Sequence, residues 1–127
     1  MIFGIGTDIV QVSRMKCNLE HYGERFARRI LAEPEWEGFL VSRRQAHFLA
    51  KRFAAKEAAV KAMGTGFRGG ITLKQIAVAH EPDGRPLLRF SEQAEAFILR
   101  NGITAAHLSL SDEEAYAVAF VTLQCGT

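Results

Sequence analysis

The segment Phe53-Ala54-Ala55-Lys56-Glu57-Ala58-Ala59-Val60-Lys61 decides the fold, because it lies inside the longest helical pattern of the chain. At the helical period one apolar stripe runs through this region, and it is formed by Ala46, Leu49, Ala50, Phe53, Glu57 and Val60. A carboxylate in such a stripe is costly to desolvate unless a cation, hydrogen bonds or water meet it. Glu57 therefore predicts either an ordinary ion pair with Lys61, one turn further on, or a metal or acid/base site.

Two signals mark the ends of this long helix. Ser42 with Gln45 three residues later predicts a capping box at its start, and Gly64 predicts its end. Residues 64–70 include four glycines and are expected to form a loop whose exposed backbone amides can hold phosphate oxygens. A glycine loop alone is weak support for such a site.

The start of the chain predicts a β-strand with one nearly bare face. Apolar and small residues alternate over residues 2–10, with Phe3, Ile5 and Ile9 on one face and Gly4, Gly6 and Asp8 on the other. Glycines weaken a strand unless something must approach its backbone closely. The glycine face is therefore expected to form a floor for a ligand or another element, with Asp8 pointing into that space.

The remaining pattern predicts an α+β fold. Its 127 residues, 48% of them hydrophobic, suit one domain over residues 1–127. The sequence favours a small, mostly antiparallel sheet packed on one long helix plus short helices. Besides the elements above, we predict helices near 13–22, 24–31, 34–40 and 91–101, a hairpin of strands 76–80 and 87–90 around a Pro-Asp-Gly turn, and strands 107–111 and 116–123.

Positive charge is concentrated in the first half of the chain. The net charge is only +2, but nine of the 16 Lys and Arg residues lie between Arg14 and Arg52. This distribution predicts a basic surface for an acidic partner or phosphates, or else a solvated helix face. No recognised nucleic-acid motif accompanies the charge, so a nucleic-acid partner is not expected.

The sequence shows no sign of a membrane segment or a disulfide framework. No stretch approaches 18 apolar residues, and Asp8 interrupts the apolar N-terminus. Cys17 and Cys125 are far apart and have no paired ligand spacing. We therefore expect free thiols in a soluble, cytoplasmic protein.

Asp8 and Glu57 are the two acids whose neighbours are apolar or glycine. If they converge, two carboxylates without His or Cys form a hard oxygen site suited to Mg²⁺, held partly by water and partly by substrate phosphate. Lys61 can reach the same phosphate as a positive charge, and the glycine loop can supply amides. This combination points to phosphoryl chemistry.

Four blocks of the sequence closely resemble the holo-acyl-carrier-protein synthases, the small bacterial branch of the phosphopantetheinyl transferases. The resemblance covers nearly the whole chain in order, and its blocks are Gly4-Ile5-Gly6-Thr7-Asp8-Ile9-Val10, residues 52–66, Gly84-Arg85-Pro86 and His107-Leu108-Ser109-Leu110-Ser111. The long block is the most specific. One departure concerns Asp112, where many relatives carry a histidine and others an acid, so a role for this position is left open.

The resemblance implies an enzyme with a defined reaction. Coenzyme A would give its 4′-phosphopantetheine arm to a serine of apo acyl carrier protein, releasing adenosine 3′,5′-bisphosphate, with fatty acid biosynthesis as the expected pathway. Asp8 and Glu57 would hold Mg²⁺ on the pyrophosphate, and Lys61 would stabilise the charge that grows there. A water on the metal or beside a carboxylate would act as base, polarised by Asp8 or Glu57, and the sequence does not decide between them.

The resemblance also implies a coenzyme A site and an assembly. The residues that match the family's positions for the nucleotide and pyrophosphate are Arg44, Arg52, Lys61, Gly64, Thr65, Gly66, Pro86 and His107. The family implies a homotrimer with active sites between subunits, in which Gly4 and Gly6 would serve close packing. Its carrier-docking helix corresponds to Arg14, Arg25 and Arg28. The alternative is a non-catalytic module that binds an acidic protein through its basic N-terminal helices.

Overall fold

A computed structural model describes residues 1–126 and shows the predicted α+β architecture. Two sheets and the shorter helices surround one long helix, which confirms the expected fold class. The elements are β1 Ile2–Gln11, α1 Val12–Tyr22, α2 Glu24–Ile30, α3 Glu33–Val41, α4 Gln45–Met63, a one-turn 3-10 helix Leu73–Gln75, β2 Ile76–His80, β3 Pro86–Phe90, α5 Glu92–Arg100, β4 Ile103–Asp112 and β5 Tyr116–Cys125.

The main sheet is antiparallel, with strand order β1-β5-β4. Asp8 pairs with Ala119 of β5, and Ala119 pairs in turn with Leu110 of β4. Because partners across a sheet share a face and side chains alternate along each strand, this register places Asp8 on the same face as the buried alanine. That face lies against α4, and β2 with β3 forms a separate antiparallel hairpin.

The glycine face of β1 packs directly against helix α4. A Cβ added to Gly4 would lie 2.0 Å from the backbone oxygen of Ala62, and one added to Gly6 would lie 2.1 Å from that of Ala58. Both glycines therefore let strand and helix backbones touch within one chain. The expectation of another element over this face is confirmed, and the close packing expected of these glycines is found here against α4 of the same chain.

Helix α4 is buried on more than the single stripe predicted from its sequence. Ala54, Ala55, Ala58 and Ala59 are completely inaccessible, and so is the side chain of Lys56. Alanine lets neighbouring elements approach from several sides, so the helix forms the centre of the molecule. The stripe identified only part of its buried surface.

The two ends of α4 differ in how well they were predicted. Gly64 closes the helix in the left-handed region, with φ +80°, as expected. At the other end the capping-box prediction is wrong, because Arg44 occupies the N-cap position. The Ser42 hydroxyl accepts the amide proton of Arg44 at 3.2 Å, and the Gln45 amide donates to the carbonyl oxygen of Phe39.

The described residues contain no helix that is both long enough and apolar enough to span a membrane. Cys17 and Cys125 are free thiols, as predicted.

Candidate active site

Three predicted site residues meet where β1 crosses α4. The ammonium of Lys61 lies 3.0 Å from Oδ1 of Asp8 and 3.0 Å from the backbone oxygen of Thr7. Asp8 points from the sheet toward the helix, and Gly6 keeps the two backbones close enough for this contact. Lys61 thus pairs with Asp8 of the strand, whereas the ordinary ion-pair interpretation paired it with Glu57.

Glu57 completes this group from the preceding turn of α4. Partial burial raises the pKa of the Glu57 carboxyl, the nearby Asp8 carboxylate raises that pKa further, and Lys61 opposes both effects. The carboxylates of Asp8 and Glu57 are therefore close enough for the charge of one to disfavour ionisation of the other. With both carboxylates ionised, one negative charge is left between β1 and α4, because Lys61 offsets only one of Asp8 and Glu57.

The residues present fit a magnesium ion held by few protein ligands. Among residues 1–126, no three His, Cys, Asp or Glu side chains gather into a ready-made metal cage. Asp8 and Glu57 instead offer two neighbouring carboxylates as hard oxygen ligands. The Asp8 side chain is bonded to Lys61 and is 17% exposed, so it lies beside solvent. Mg²⁺ is commonly bound in this way, by one or two carboxylates together with water and substrate phosphate.

The predicted nucleotide-binding residues are spread over the molecule. Arg44 stands before the first turn of α4, where it donates to Nε2 of His47 at 2.8 Å and lies 3.4 Å from a carboxylate oxygen of Glu114. Gly64 lies at the opposite end of the same helix, roughly 30 Å away at 1.5 Å per residue. Within one chain these two residues cannot surround the same nucleotide.

The glycine loop lies at the far end of α4, whereas the hairpin packs along the middle of the helix, where Arg52 donates to the backbone oxygen of Val78 in β2. Gly64 and Thr65 line a cavity of about 400 Å³ together with Arg68 and Arg100. The Thr65 hydroxyl donates to the backbone oxygen of Gly66, which has φ +61°. Pro86 begins β3 and lies opposite His80.

His107 lies on the face of the sheet that points away from α4. It pairs with Thr122, whereas Asp8 pairs with Ala119, three residues earlier in β5. An odd separation places side chains on opposite faces, so His107 and Asp8 cannot serve one site within one chain. The His107 ring lies 3.1 Å from the side-chain oxygen of Gln124.

Arg52 is held inside the protein. Its guanidinium donates to Oε2 of Glu35 at 3.1 Å and to the backbone oxygen of Val78 at 2.9 Å, and the side chain is only 13% exposed. These contacts give Arg52 a structural function, and its predicted role at the 3′-phosphate remains a prediction. Asp112, on the inner face at the end of β4, lies 3.9 Å from Lys51.

Sequence reasoning missed a buried ion pair next to Glu57. Lys56 and Glu35 are completely inaccessible, and the ammonium lies 2.6 Å from Oε1 of the carboxylate. Burial lowers the pKa of Lys56, while the Glu35 carboxylate opposes that shift. A lysine within a run of alanines was the available signal for Lys56, but nothing local identified Glu35, which lies 21 residues earlier.

The three predicted docking arginines are exposed on the first two helices. Arg14 lies on α1, and Arg25 and Arg28 lie on α2. Arg25 lines a cleft of about 420 Å³ with Tyr22, Phe26, Asn18 and Arg29. Arg28 instead stacks on the face of Trp36, with its guanidinium carbon 3.9 Å from the ring centroid.

Residues 4–121 match the sequence model of the 4′-phosphopantetheinyl transferase superfamily. The chain is 55% identical over 126 residues to the holo-[acyl-carrier-protein] synthase of Halorhodospira halophila, covering 99% of this chain and 100% of that protein. It is 55% identical over 123 residues to the enzyme of the same name from Nitrosococcus oceani, covering 97% of this chain and 80% of that protein.

Solved structures share the fold at the same length. The holo-[acyl-carrier-protein] synthase of Neisseria meningitidis superimposes with a TM-score of 0.92 at 40% identity, covering 98% of this chain and 99% of that one. The synthase of Bacillus anthracis in complex with coenzyme A (3′,5′-ADP) gives a TM-score of 0.82 at 35% identity and 99% coverage of both chains.

Proposed function

The chain belongs to the 4′-phosphopantetheinyl transferase superfamily, and from this premise we propose how its residues modify an acyl carrier protein. It is a holo-[acyl-carrier-protein] synthase, which transfers the 4′-phosphopantetheine arm of coenzyme A to a serine of the apo carrier. The observation that carries the site assignment is the contact of Asp8 with Lys61 beside Glu57.

The reaction replaces the phosphoanhydride bond of coenzyme A with a phosphodiester bond to the carrier serine. The serine oxygen of the carrier attacks the β-phosphorus of the coenzyme A pyrophosphate, and the bond to the bridging oxygen breaks. Adenosine 3′,5′-bisphosphate leaves with that oxygen, and the serine proton passes to a water polarised by Asp8 or Glu57. Positioning and electrostatic stabilisation carry most of the catalysis in phosphoryl transfer.

Asp8 and Glu57 are the residues that would hold Mg²⁺. When bound, this ion supplies a Lewis acid for the pyrophosphate and offsets charge on the leaving group. Lys61 contributes a fixed positive charge at the same place, since its ammonium is already oriented by Asp8 and Thr7. Glu57 is the anion with the least compensation, which makes it the residue most sensitive to loss of charge.

The coenzyme A site is proposed to lie between neighbouring subunits of a homotrimer. Gly64, Thr65 and Gly66 contribute from one chain, whereas Pro86 pairs with His80 near Arg52 and lies away from that loop. Arg44 and His107 lie too far from Asp8, or on the wrong face of the sheet, to join it within that chain. A neighbour would supply them, and Arg52 would approach the 3′-phosphate only after a change in its contacts with Glu35.

An apolar sheet face supports this assembly. Ile5 and Ile9 of β1 lie beside Val118 and Phe120 of β5, and all four side chains are exposed. Contiguous apolar surface of this kind typically marks a protein interface. The face also carries His107, so covering it with a second copy would bring that histidine to a subunit boundary.

The basic surface of α1 and α2 is proposed to receive the carrier protein. Arg14, Arg25 and Arg28 offer positive charge to an acidic partner, and such complementarity mainly accelerates the encounter. We place the reaction in fatty acid biosynthesis and in the cytoplasm. The alternative of a non-catalytic module loses its basis, because full-length relatives are named for the transferase activity.

The magnesium assignment can be tested by following release of adenosine 3′,5′-bisphosphate by liquid chromatography. Purified protein is incubated with coenzyme A and apo carrier protein, with Mg²⁺ or with excess chelator. Release should require Mg²⁺ and should return when the ion is restored. Equal release under chelation would refute the proposed role of Asp8 and Glu57 as metal ligands.

A further inference from the structure

The buried pair of Glu35 and Lys56 satisfies every polar atom it contains. Lys56 donates to the backbone oxygens of Ile30 at 2.8 Å and Leu73 at 3.1 Å, in addition to Glu35. A buried lysine has three protons to place, and all three have acceptors. Among the described residues no buried side-chain nitrogen or oxygen is left without a partner.

The carboxylate of Glu35 is equally occupied. Its Oε1 accepts the amide proton of Ala32 at 2.8 Å as well as a proton of the Lys56 ammonium. Its Oε2 accepts from the amide of Val78 at 3.0 Å and from Arg52. One side chain of α3 is thus bonded to α4 and β2.

This network links the helix proposed to dock the carrier to the helix that carries Glu57. Ile30 is the last residue of α2, which bears Arg25 and Arg28, and its carbonyl is bonded to Lys56. Lys56 and Glu57 are consecutive on α4, about 100° apart around the axis at 3.6 residues per turn. Lys56 therefore connects the turn of α4 that carries Glu57 to the last residue of α2.

A second contact joins α2 to the same segment of α3. Trp36 follows Glu35 directly, and Arg28 lies over its ring. A stacked guanidinium loses rotational freedom before the partner arrives, which lowers the entropic cost of using it at an interface. Lys56, held in place by Glu35, thus binds the end of the docking helix, and Trp36 contacts its side.

We propose that Glu35, Lys56 and Trp36 are positioning residues for the carrier protein. They fix the docking helix relative to Glu57, so that the carrier serine arrives at the reacting phosphorus. The inference rests on the proposed function and adds to it a group that touches neither coenzyme A nor the carrier serine. Its signature is a defect toward the carrier that exceeds any effect on coenzyme A, since the only predicted coenzyme A residue bonded to the network is Arg52.

The test compares Lys56→Met with the wild-type protein in two measurements. Steady-state transfer gives KM and kcat for apo carrier protein, and equilibrium titration gives Kd for coenzyme A. We expect kcat/KM for the carrier to fall at least about tenfold, because small misplacements of reacting groups are costly. The coenzyme A Kd should change less than kcat/KM for the carrier, because only Arg52 connects the network to a predicted coenzyme A residue.

Leu123→Ala is the matched control, because it weakens the core in β5 without touching the network. It should lower the melting temperature and leave both substrate parameters close to wild type. An equal loss toward both substrates in Lys56→Met, or no loss toward the carrier, would overturn the proposal. Wild-type protein that transfers nothing would instead overturn the proposed function itself.

Trp36→Leu and Arg28→Ala form a second test that does not disturb the buried pair. Each should raise KM for the carrier, and the double variant should be no worse than Arg28→Ala alone, because Trp36 acts through Arg28. If Lys56→Met fails to fold, this double-mutant cycle of Trp36 and Arg28 still tests whether α2 is positioned for the carrier. Additive losses in the double variant, or no effect of Trp36→Leu, would contradict a positioning role.

Discussion

Glu57 differs from Asp8, the only other carboxylate of α4 and β1, in how little compensates its charge. Asp8 has the ammonium of Lys61 at 3.0 Å, while Glu57 has partial burial and a neighbouring carboxylate that both favour its neutral form. A cation at this place would relieve both effects. The unfavourable position of this glutamate in the isolated chain is therefore the physical basis of its proposed function.

Replacing Glu57 with Gln should remove most turnover while the fold stays intact. The side chain keeps its size and helix propensity but loses the anionic ligand. We expect kcat to fall about 100-fold or more, as is common when one electrostatic group of a catalytic site is removed. Glu95→Gln, on exposed α5, makes the same change away from the site and should leave kcat unaffected. Unchanged turnover in Glu57→Gln would refute the assignment.

The raised pKa of Glu57 also predicts how stability depends on pH without metal. The folded protein binds the Glu57 proton more tightly than the unfolded chain, so this group's contribution to stability falls as pH rises above about 4.5. Glu57→Gln lacks this contribution. Denaturation in urea with chelator should therefore show the variant gaining stability relative to wild type as pH rises from 4.5 toward neutrality. A difference that stays constant, or changes the other way, would contradict the shift.

The sequence could identify Asp8 and Glu57 as candidate site residues because both lie in locally readable patterns, and the structure brings them together with Lys61. Asp8 lies on the glycine face of a strand and Glu57 interrupts an apolar stripe, so each could be identified from its neighbours. Glu35 could not, since an acid near a proline looks like an ordinary first-turn residue. Its partners come from α4 and β2, and only the folded chain brings them together.

Strand β1 and helix α4 form the pair of elements on which the site depends. Their backbones touch at Gly4 and Gly6, which bring Asp8 of the strand to Lys61 of the helix. The small side chains of the alanines in α4 also allow the helix and strand backbones to approach closely. Close packing in the core and the geometry of the proposed metal site therefore have one cause.

Gly6→Ala should be strongly destabilising, because the new methyl group would lie 2.1 Å from the carbonyl oxygen of Ala58. Neither backbone can yield, so we expect a loss of about 3 kcal/mol or more in the free energy of unfolding. Gly38→Ala is the comparison, since its methyl group would meet only the Phe48 ring at 3.3 Å. Urea denaturation measures both, and similar losses would argue against the proposed contact.

The start of α4 shows which features of an element escape local reasoning. Ser42 and Gln45 have the spacing of a capping box, yet the serine bonds to Arg44 and the glutamine bonds to Phe39. Only residues 42–44 connect α3 to α4. The bond from the Gln45 side chain to the Phe39 carbonyl holds the start of α4 against the end of α3. At the other end Gly64 was predictable, because its left-handed conformation is a local property.

At the scale of the whole molecule, the outer face of the main sheet is the surface proposed to join subunits and so to bring the scattered nucleotide candidates together. It exposes apolar side chains from two strands and also carries His107. The alternation of β1 in the sequence predicted this apolar face. Only the register of the sheet showed that Asp8 and His107 lie on opposite sides, which favours a site shared between subunits.

Phe120→Glu should break the proposed trimer. The side chain is 45% exposed on the apolar sheet face, where a buried charge would oppose association. Light scattering should give wild type three times the 14.1 kDa chain mass and the variant one chain mass, with transfer lost. Leu99→Glu, 72% exposed on α5, is the control and should stay trimeric. A monomeric, fully active wild type would contradict the shared site.

Intact-mass spectrometry of an apo acyl carrier protein tests the central claim most directly. The carrier is incubated with this protein, coenzyme A and Mg²⁺, and the modified residue is then located by fragmentation. We predict the addition of one 4′-phosphopantetheine group on a serine, and far slower addition when Glu57→Gln replaces the wild-type protein. An unmodified carrier after incubation with the wild-type protein would contradict the account.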